Sequence, residues 1–160
     1  MVIMSLDIGK KGAIVIYDTD KIMYLLKQEY SFDSLFKTYE YLKVLIVSKN
    51  IDLVVIGEAF GHRCVVKAHS KFYGVVECLV ERFDRTVYYL TDRSARCVVL
   101  GKGNGNKKEK VQEYYKEATP DVSDACLFIS AYLLQIGERD SSYGAPVLKG
   151  REFPEIKDIV

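Results

Sequence analysis

An acid placed one residue before the end of the first apolar run constrains this fold more than any other feature. Residues 2–8 read as a buried strand, residues 9–12 as a glycine and lysine turn, and residues 13–17 as apolar again, which is the pattern of a β-hairpin. Asp7 sits inside that first strand. A carboxylate among buried neighbours is costly unless it is paired or bound to a metal ion. The same difficulty recurs at Glu58, which closes the run 52–58, and at Asp121 and Asp124, which open a strongly apolar final segment. Three chain ends converging on one point would resolve all of them together.

The order of elements follows from periodicity. After turn residues 18–20, a third strand is predicted over 21–30, giving three antiparallel strands in succession. In residues 33–49 the apolar residues Leu35, Phe36, Tyr39, Leu42, Leu45 and Ile46 recur at helical spacing, with Ser31 or Asp33 available as a cap. The β-branched run 51–57 follows that helix, so it is expected to lie parallel to an earlier strand, with Glu58 at its C-terminal end. Beyond a loop at 59–63, residues 66–83 form a second predicted helix with Phe72, Val75, Val76, Leu79 and Phe83 along one side. Residues 85–90 are the fifth strand, 101–106 a loop, 108–117 a helix and 121–136 the final helix, while 91–100 receive no assignment. The expected architecture is α/β, a five-stranded mixed sheet flanked by helices. It forms one domain over residues 1–136, followed by a polar, loosely packed tail at 137–160.

A chain of 160 residues is long enough to bury a core as one domain. Its formal net charge of +1 conceals a local basic patch, Lys102, Lys107, Lys108 and Lys110, able to hold phosphate on a nearly neutral protein. The four cysteines, Cys64, Cys78, Cys97 and Cys126, are far apart and form no C-x-x-C pair, which argues against a zinc ribbon or a redox motif. His62 and His69 with Cys64 also fit no standard zinc spacing. With no basic leader and no apolar stretch near the roughly 20 residues that cross a bilayer, the expectation is a soluble, cytoplasmic protein.

Asp121 and Asp124 are three residues apart and share one face of a helix, so both can reach one cation. Capping is an alternative for the pair: Thr119 or Asp121 suits an N-cap, Pro120 a first turn, and acids there complement the helix dipole. Taken in order, however, the acids form a specific constellation. Leu-Asp-Ile-Gly-Lys-Lys-Gly-Ala at 6–13, Val-Val-Ile-Gly-Glu at 54–58 and Asp-Val-Ser-Asp-Ala at 121–125 resemble the RuvC-type Holliday junction resolvases of the ribonuclease H-like superfamily. Ser-Lys-Phe-Tyr-Gly at 70–74 and the glycine and lysine loop at 101–108 extend the resemblance, which runs from residue 2 to about 136. The compact form is more similar to phage and poxvirus resolvases than to the longer bacterial enzymes.

That resemblance implies a metal-dependent endonuclease, usually homodimeric, that nicks two strands of a four-way DNA junction symmetrically. Asp7, Glu58, Asp121 and Asp124 then match the catalytic acids, holding two Mg²⁺ or Mn²⁺ ions with Asp7 as the bridging ligand. Lys107 or Lys108 matches a lysine that approaches the scissile phosphate. Lys10, Lys11, Arg63, Lys67, Lys71 and Lys102 are candidate phosphate contacts, and Phe60 a candidate for stacking on a base. A solvated surface charge is the ordinary alternative for each cation, and core packing for Phe60. Tyr73, Val76 and Val80 are the residues expected at a dimer contact. Competing functions are a ribonuclease H-type or other branched-DNA nuclease, and a fragment of an actin-like ATP-binding fold, which normally needs two such domains. A non-catalytic module on the same fold would be expected to lose acids; here all four remain.

Overall fold

The computed structural model describes residues 1–9, 11–31, 34–58, 63–101, 107–117 and 119–142, and the side chains of these except 58, 63–68, 107–108 and 137–142. Five strands and five helices are described along it: β1 (Val2–Asp7), β2 (Lys11–Asp18), β3 (Met23–Ser31), α1 (Leu35–Ser48), β4 (Leu53–Glu58), α2 (Arg63–Arg82), β5 (Thr86–Thr91), α3 (Asp92–Leu100), α4 (Lys107–Tyr115) and α5 (Pro120–Ser142). The sheet order is β3-β2-β1-β4-β5. Strands β1, β2 and β3 are antiparallel neighbours, and β4 then joins β1 in parallel with Leu6 opposite Ile56. β5 continues the parallel half, with Glu58 opposite Thr91. This is the expected mixed sheet.

Strand alternation sends side chains to two separate cores. Ile3, Ala13, Val15, Leu53, Val55 and Leu90 face one layer, where α5 supplies Ala125, Leu127, Phe128 and Ile129 and α3 and α4 supply Ala95 and Val111. Met4, Leu6, Ile14, Ile16, Val54 and Ile56 face the other, covered by Leu42, Leu45 and Ile46 of α1 and by Val76, Leu79 and Val80 of α2. The β1 and β4 strands are therefore apolar on both faces. That explains why their sequences read as continuous runs rather than as alternation. No helix among the described residues is long and apolar enough to cross a membrane.

Several local expectations are corrected. Helix α1 is capped by Ser34, whose side chain accepts from the Lys37 N–H; Ser31 ends β3, and Asp33 lies outside the described residues. The buried stripe of α1 runs through Thr38, Leu42, Leu45 and Ile46, which leaves Phe36 on the far side at 72% exposed. Val76 and Val80, expected at a dimer contact, are 1% and 5% exposed because they face the sheet. Tyr73, on the same helix, donates its hydroxyl to the Gly57 carbonyl at 2.9 Å. Val76 and Val80 are committed to the protomer's own core, and Tyr73 is half-buried against it. Helix α3 occupies most of the unassigned stretch, with Thr91 as N-cap and Gly101 as a left-handed C-cap. Helix α5 runs on to Ser142, so six residues assigned to the tail continue the helix; residues 143–160 lie outside the described residues.

One close approach fixes how α5 seats on the sheet. A β-carbon at Gly57 would lie 2.4 Å from the Phe128 ring, so only glycine lets that ring cross β4 beside Glu58. Gly57→Ala is predicted to lower stability by about 1–3 kcal/mol, the usual cost of overpacking. Adding Phe128→Leu should recover part of that loss in denaturant unfolding.

Candidate functional site

Because β1 and β4 are parallel and in register, their C-terminal ends reach the same edge of the sheet. Asp7 is the last residue of β1, and Glu58 the last of β4. Alternation puts Asp7 with Ile3 on the face that α5 covers, and its register partner Ala13 is buried in that same core. The Glu58 side chain lies outside the described residues.

Helix α5, which packs on β1 and β4, carries the other two acids. From Val122 to Ile129 every residue is buried, because α5 is enclosed between the sheet and α3 and α4. Two of those residues are polar. Ser123 returns its hydroxyl to the Thr119 carbonyl at 3.0 Å, a local helix bond. Asp124 is the other, 7% exposed. It is the fifth residue of α5, beyond the first turn whose N–H groups a cap would serve, so capping does not account for it. Asp121 is the second residue, inside the helix rather than at the cap, where a negative charge suits the dipole.

Tyr30 feels the charge of two of these acids. Its hydroxyl donates to the Asp7 carbonyl at 3.2 Å and accepts from the Gly9 N–H at 3.3 Å. Burial pushes the phenol well above its ordinary range, and the carboxylates of Asp7 and Asp121 push it in the same direction. The two acids, one from β1 and one from α5, therefore act on a single buried hydroxyl. Tyr30 was not among the residues singled out from sequence. The available signal was a pairing: Tyr30 stands opposite Gly12 in the β2–β3 register. A β-carbon at Gly12 would fall 2.0 Å from the Asp7 carbonyl oxygen and 2.9 Å from the Tyr30 hydroxyl. The missing side chain is what admits the tyrosine.

The remaining candidates divide by what can be described. Lys11 is exposed at the start of β2, one strand from Asp7, and Lys71 is exposed on α2. Lys10, Phe60 and Lys102 lie outside the described residues. So do the side chains of Arg63, Lys67, Lys107 and Lys108, whose backbones form the first turns of α2 and α4. Arg63, Lys67 and Lys71 stand four apart on α2, the spacing of one stripe along a helix. His69 packs toward the turn after Asp7, its Cε1 3.8 Å from a β-carbon placed on Gly9. His62 and the Cys64 side chain lie outside the described residues.

Among the described residues no group of three or more His, Cys, Asp or Glu side chains is placed to hold a metal ion. The described donors are the carboxylates of Asp7, Asp121 and Asp124, with the Glu58 backbone at the same edge. Oxygen donors of this kind suit a hard divalent cation such as Mg²⁺ or Mn²⁺, not zinc in a thiolate site.

No family model and no curated protein sequence matches the chain. Solved structures do. Thermus thermophilus RuvC superposes with a TM-score of 0.72 at 12% identity, over 92% of this chain and 99% of that one. T. thermophilus RuvC in complex with a Holliday junction substrate gives 0.68 at 14% identity, over 84% and 96%. The fowlpox virus resolvase in complex with Holliday junction DNA gives 0.53 at 15% identity, over 85% and 98%. With its mixed sheet in the order β3-β2-β1-β4-β5 and helices on both faces, the chain has the ribonuclease H-like fold of these resolvases.

Proposed function

We propose that this protein is a metal-dependent endonuclease that resolves four-way DNA junctions by paired, symmetric nicks. The observation that carries the reading is Asp124, a buried carboxylate in the second turn of α5, on the helix that covers the face of β1 bearing Asp7. Support comes from the fold shared with resolvases solved on junction DNA. Asp7, Glu58, Asp121 and Asp124 would hold two Mg²⁺ or Mn²⁺ ions, with Asp7 as the shared ligand. Such ions, when bound, activate a water and stabilise the leaving oxygen of a phosphodiester. The chain's own part is to fix those carboxylates on a strand end and a helix start, both rigid elements. The lysines at the start of α4, Lys107 and Lys108, would offset charge growing on the phosphoryl oxygens. Lys11 and Lys71, with Lys10, Phe60, Arg63, Lys67 and Lys102, would line the path of the DNA.

The deciding experiment is cleavage of a labelled four-way junction beside a matched linear duplex and an RNA–DNA hybrid, with Mg²⁺ and with Mn²⁺. Selective, metal-dependent nicking of the junction at symmetric positions is the expected result. Preference for the hybrid would favour a ribonuclease H-type activity instead.

Asp124→Asn keeps the volume and, because residue 124 lies beyond the first turn of α5, removes no cap; cleavage should disappear with the melting temperature near wild type. An active Asp124→Asn protein would return the residue to a structural role. Either Lys107→Ala or Lys108→Ala should slow cutting far more than it weakens binding. If both losses are small and equal, and the salt dependence of binding falls, the lysines supply attraction alone. Finally, a two-fold symmetric junction calls for two sites, so the protein should be a homodimer by sedimentation at micromolar concentration. The α2 residues Val76 and Val80 are unavailable for that contact. Phe36, Val44 and Val47 are exposed on α1.

A further inference from the structure

We propose that Tyr30 is a positioning residue for Asp7, holding the end of β1 in the geometry that cleavage requires. The inference rests on the reading of Asp7 as a catalytic acid and extends it to a residue of a different strand. The Tyr30 hydroxyl binds both ends of the segment Asp7–Ile8–Gly9, as donor to the Asp7 carbonyl at 3.2 Å and as acceptor from the Gly9 N–H at 3.3 Å. It thus fixes the backbone on which the Asp7 carboxylate is mounted and the first turn beyond it. The Tyr30 ring belongs to the core between the sheet and α1 and α2, whereas α5 covers the opposite face. Asp7 is therefore held from beneath while its side chain is directed to the α5 side.

Two further details show that the arrangement is built. Gly12 stands between Tyr30 and β1, and any β-carbon there would collide with the Asp7 carbonyl and press on the phenol. In addition, Gly9 cannot carry a β-carbon without meeting the Lys11 carbonyl at 2.7 Å, so the turn after Asp7 is tight on its own account. A hydroxyl that grips such a turn at both ends adds little to a core that the ring already fills. What it adds is the orientation of the residue between β1 and α5. Partners that orient a metal-binding carboxylate typically matter by about 10- to 100-fold in metal affinity or turnover.

The test compares wild type, Tyr30→Phe and Asp7→Asn on a labelled four-way junction. It measures cleavage rate against Mn²⁺ concentration, junction affinity in Ca²⁺, and melting temperature, all assayed well below the transition. Tyr30→Phe keeps the ring and removes both hydrogen bonds. The expected result is turnover lowered by about 10-fold or more, half-saturation moved to higher Mn²⁺, and junction affinity unchanged, with Asp7→Asn inactive. Wild-type turnover and metal dependence in Tyr30→Phe, with Asp7→Asn still inactive, would overturn the role of Tyr30 and leave the proposed function standing. A slower Tyr30→Phe whose loss matches its loss of folded protein would also overturn it, assigning the hydroxyl to the core. Cleavage by Asp7→Asn at the wild-type rate would instead remove the catalytic reading of Asp7, and the inference with it.

Discussion

Parallel pairing of β1 with β4 is the constraint on which the rest of this structure depends. Antiparallel pairing would send Asp7 and Glu58 to opposite edges of the sheet; with Leu6 opposite Ile56 they end together. The parallel arrangement needs a crossover, which α1 supplies after β3. It also buries both strands on both faces, so the first charged residue of either strand stands at the edge where the strand stops. The Gly57 and Phe128 contact then ties α5 to β4 one residue from that edge. Strand pairing, helix seating and acid placement are one problem with one solution.

Asp124 shows what the arrangement costs. Burying a carboxylate carries a penalty of several kcal/mol unless charge or hydrogen bonds return it. Places where a chain breaks the local rule are where function is expected, and here the broken rule stands on a helix otherwise buried from Val122 to Ile129. Tyr30 is a second such place. A buried phenol is an expensive way to fill space unless its hydroxyl has work, and it is bonded to Asp7 and Gly9.

Much of this was legible in the sequence because the signals were long or repeated. The hairpin of β1 and β2, the β4 run ending in Glu58 and the start of α5 all rest on apolar stretches broken by few residues, chiefly the acids themselves. What escaped reading depended on partners distant in sequence. Phe36 has the spacing of a core residue, yet the seating of α1 centres the buried arc on Leu42 and Ile46 instead. Val76 and Val80 looked surplus to one sheet face, because the area α2 must cover is fixed by β4 and its neighbours, not by α2. Helix α3 begins with polar residues and buries Arg96, so its signal lay in its ends, Thr91 and Gly101, more than in its interior. Tyr30 could be found only through its register with Gly12, which depends on the length of the β2–β3 turn.

We propose that Asp7, Glu58, Asp121 and Asp124 hold a divalent cation together. Calorimetric titration of Mn²⁺ into wild type, Asp7→Asn and Asp124→Asn tests it without DNA or turnover. Wild type is expected to bind, with binding lost or greatly weakened in both variants, although one substitution is on β1 and the other on α5, and with all three proteins folded. Equal Mn²⁺ binding by the three would contradict it.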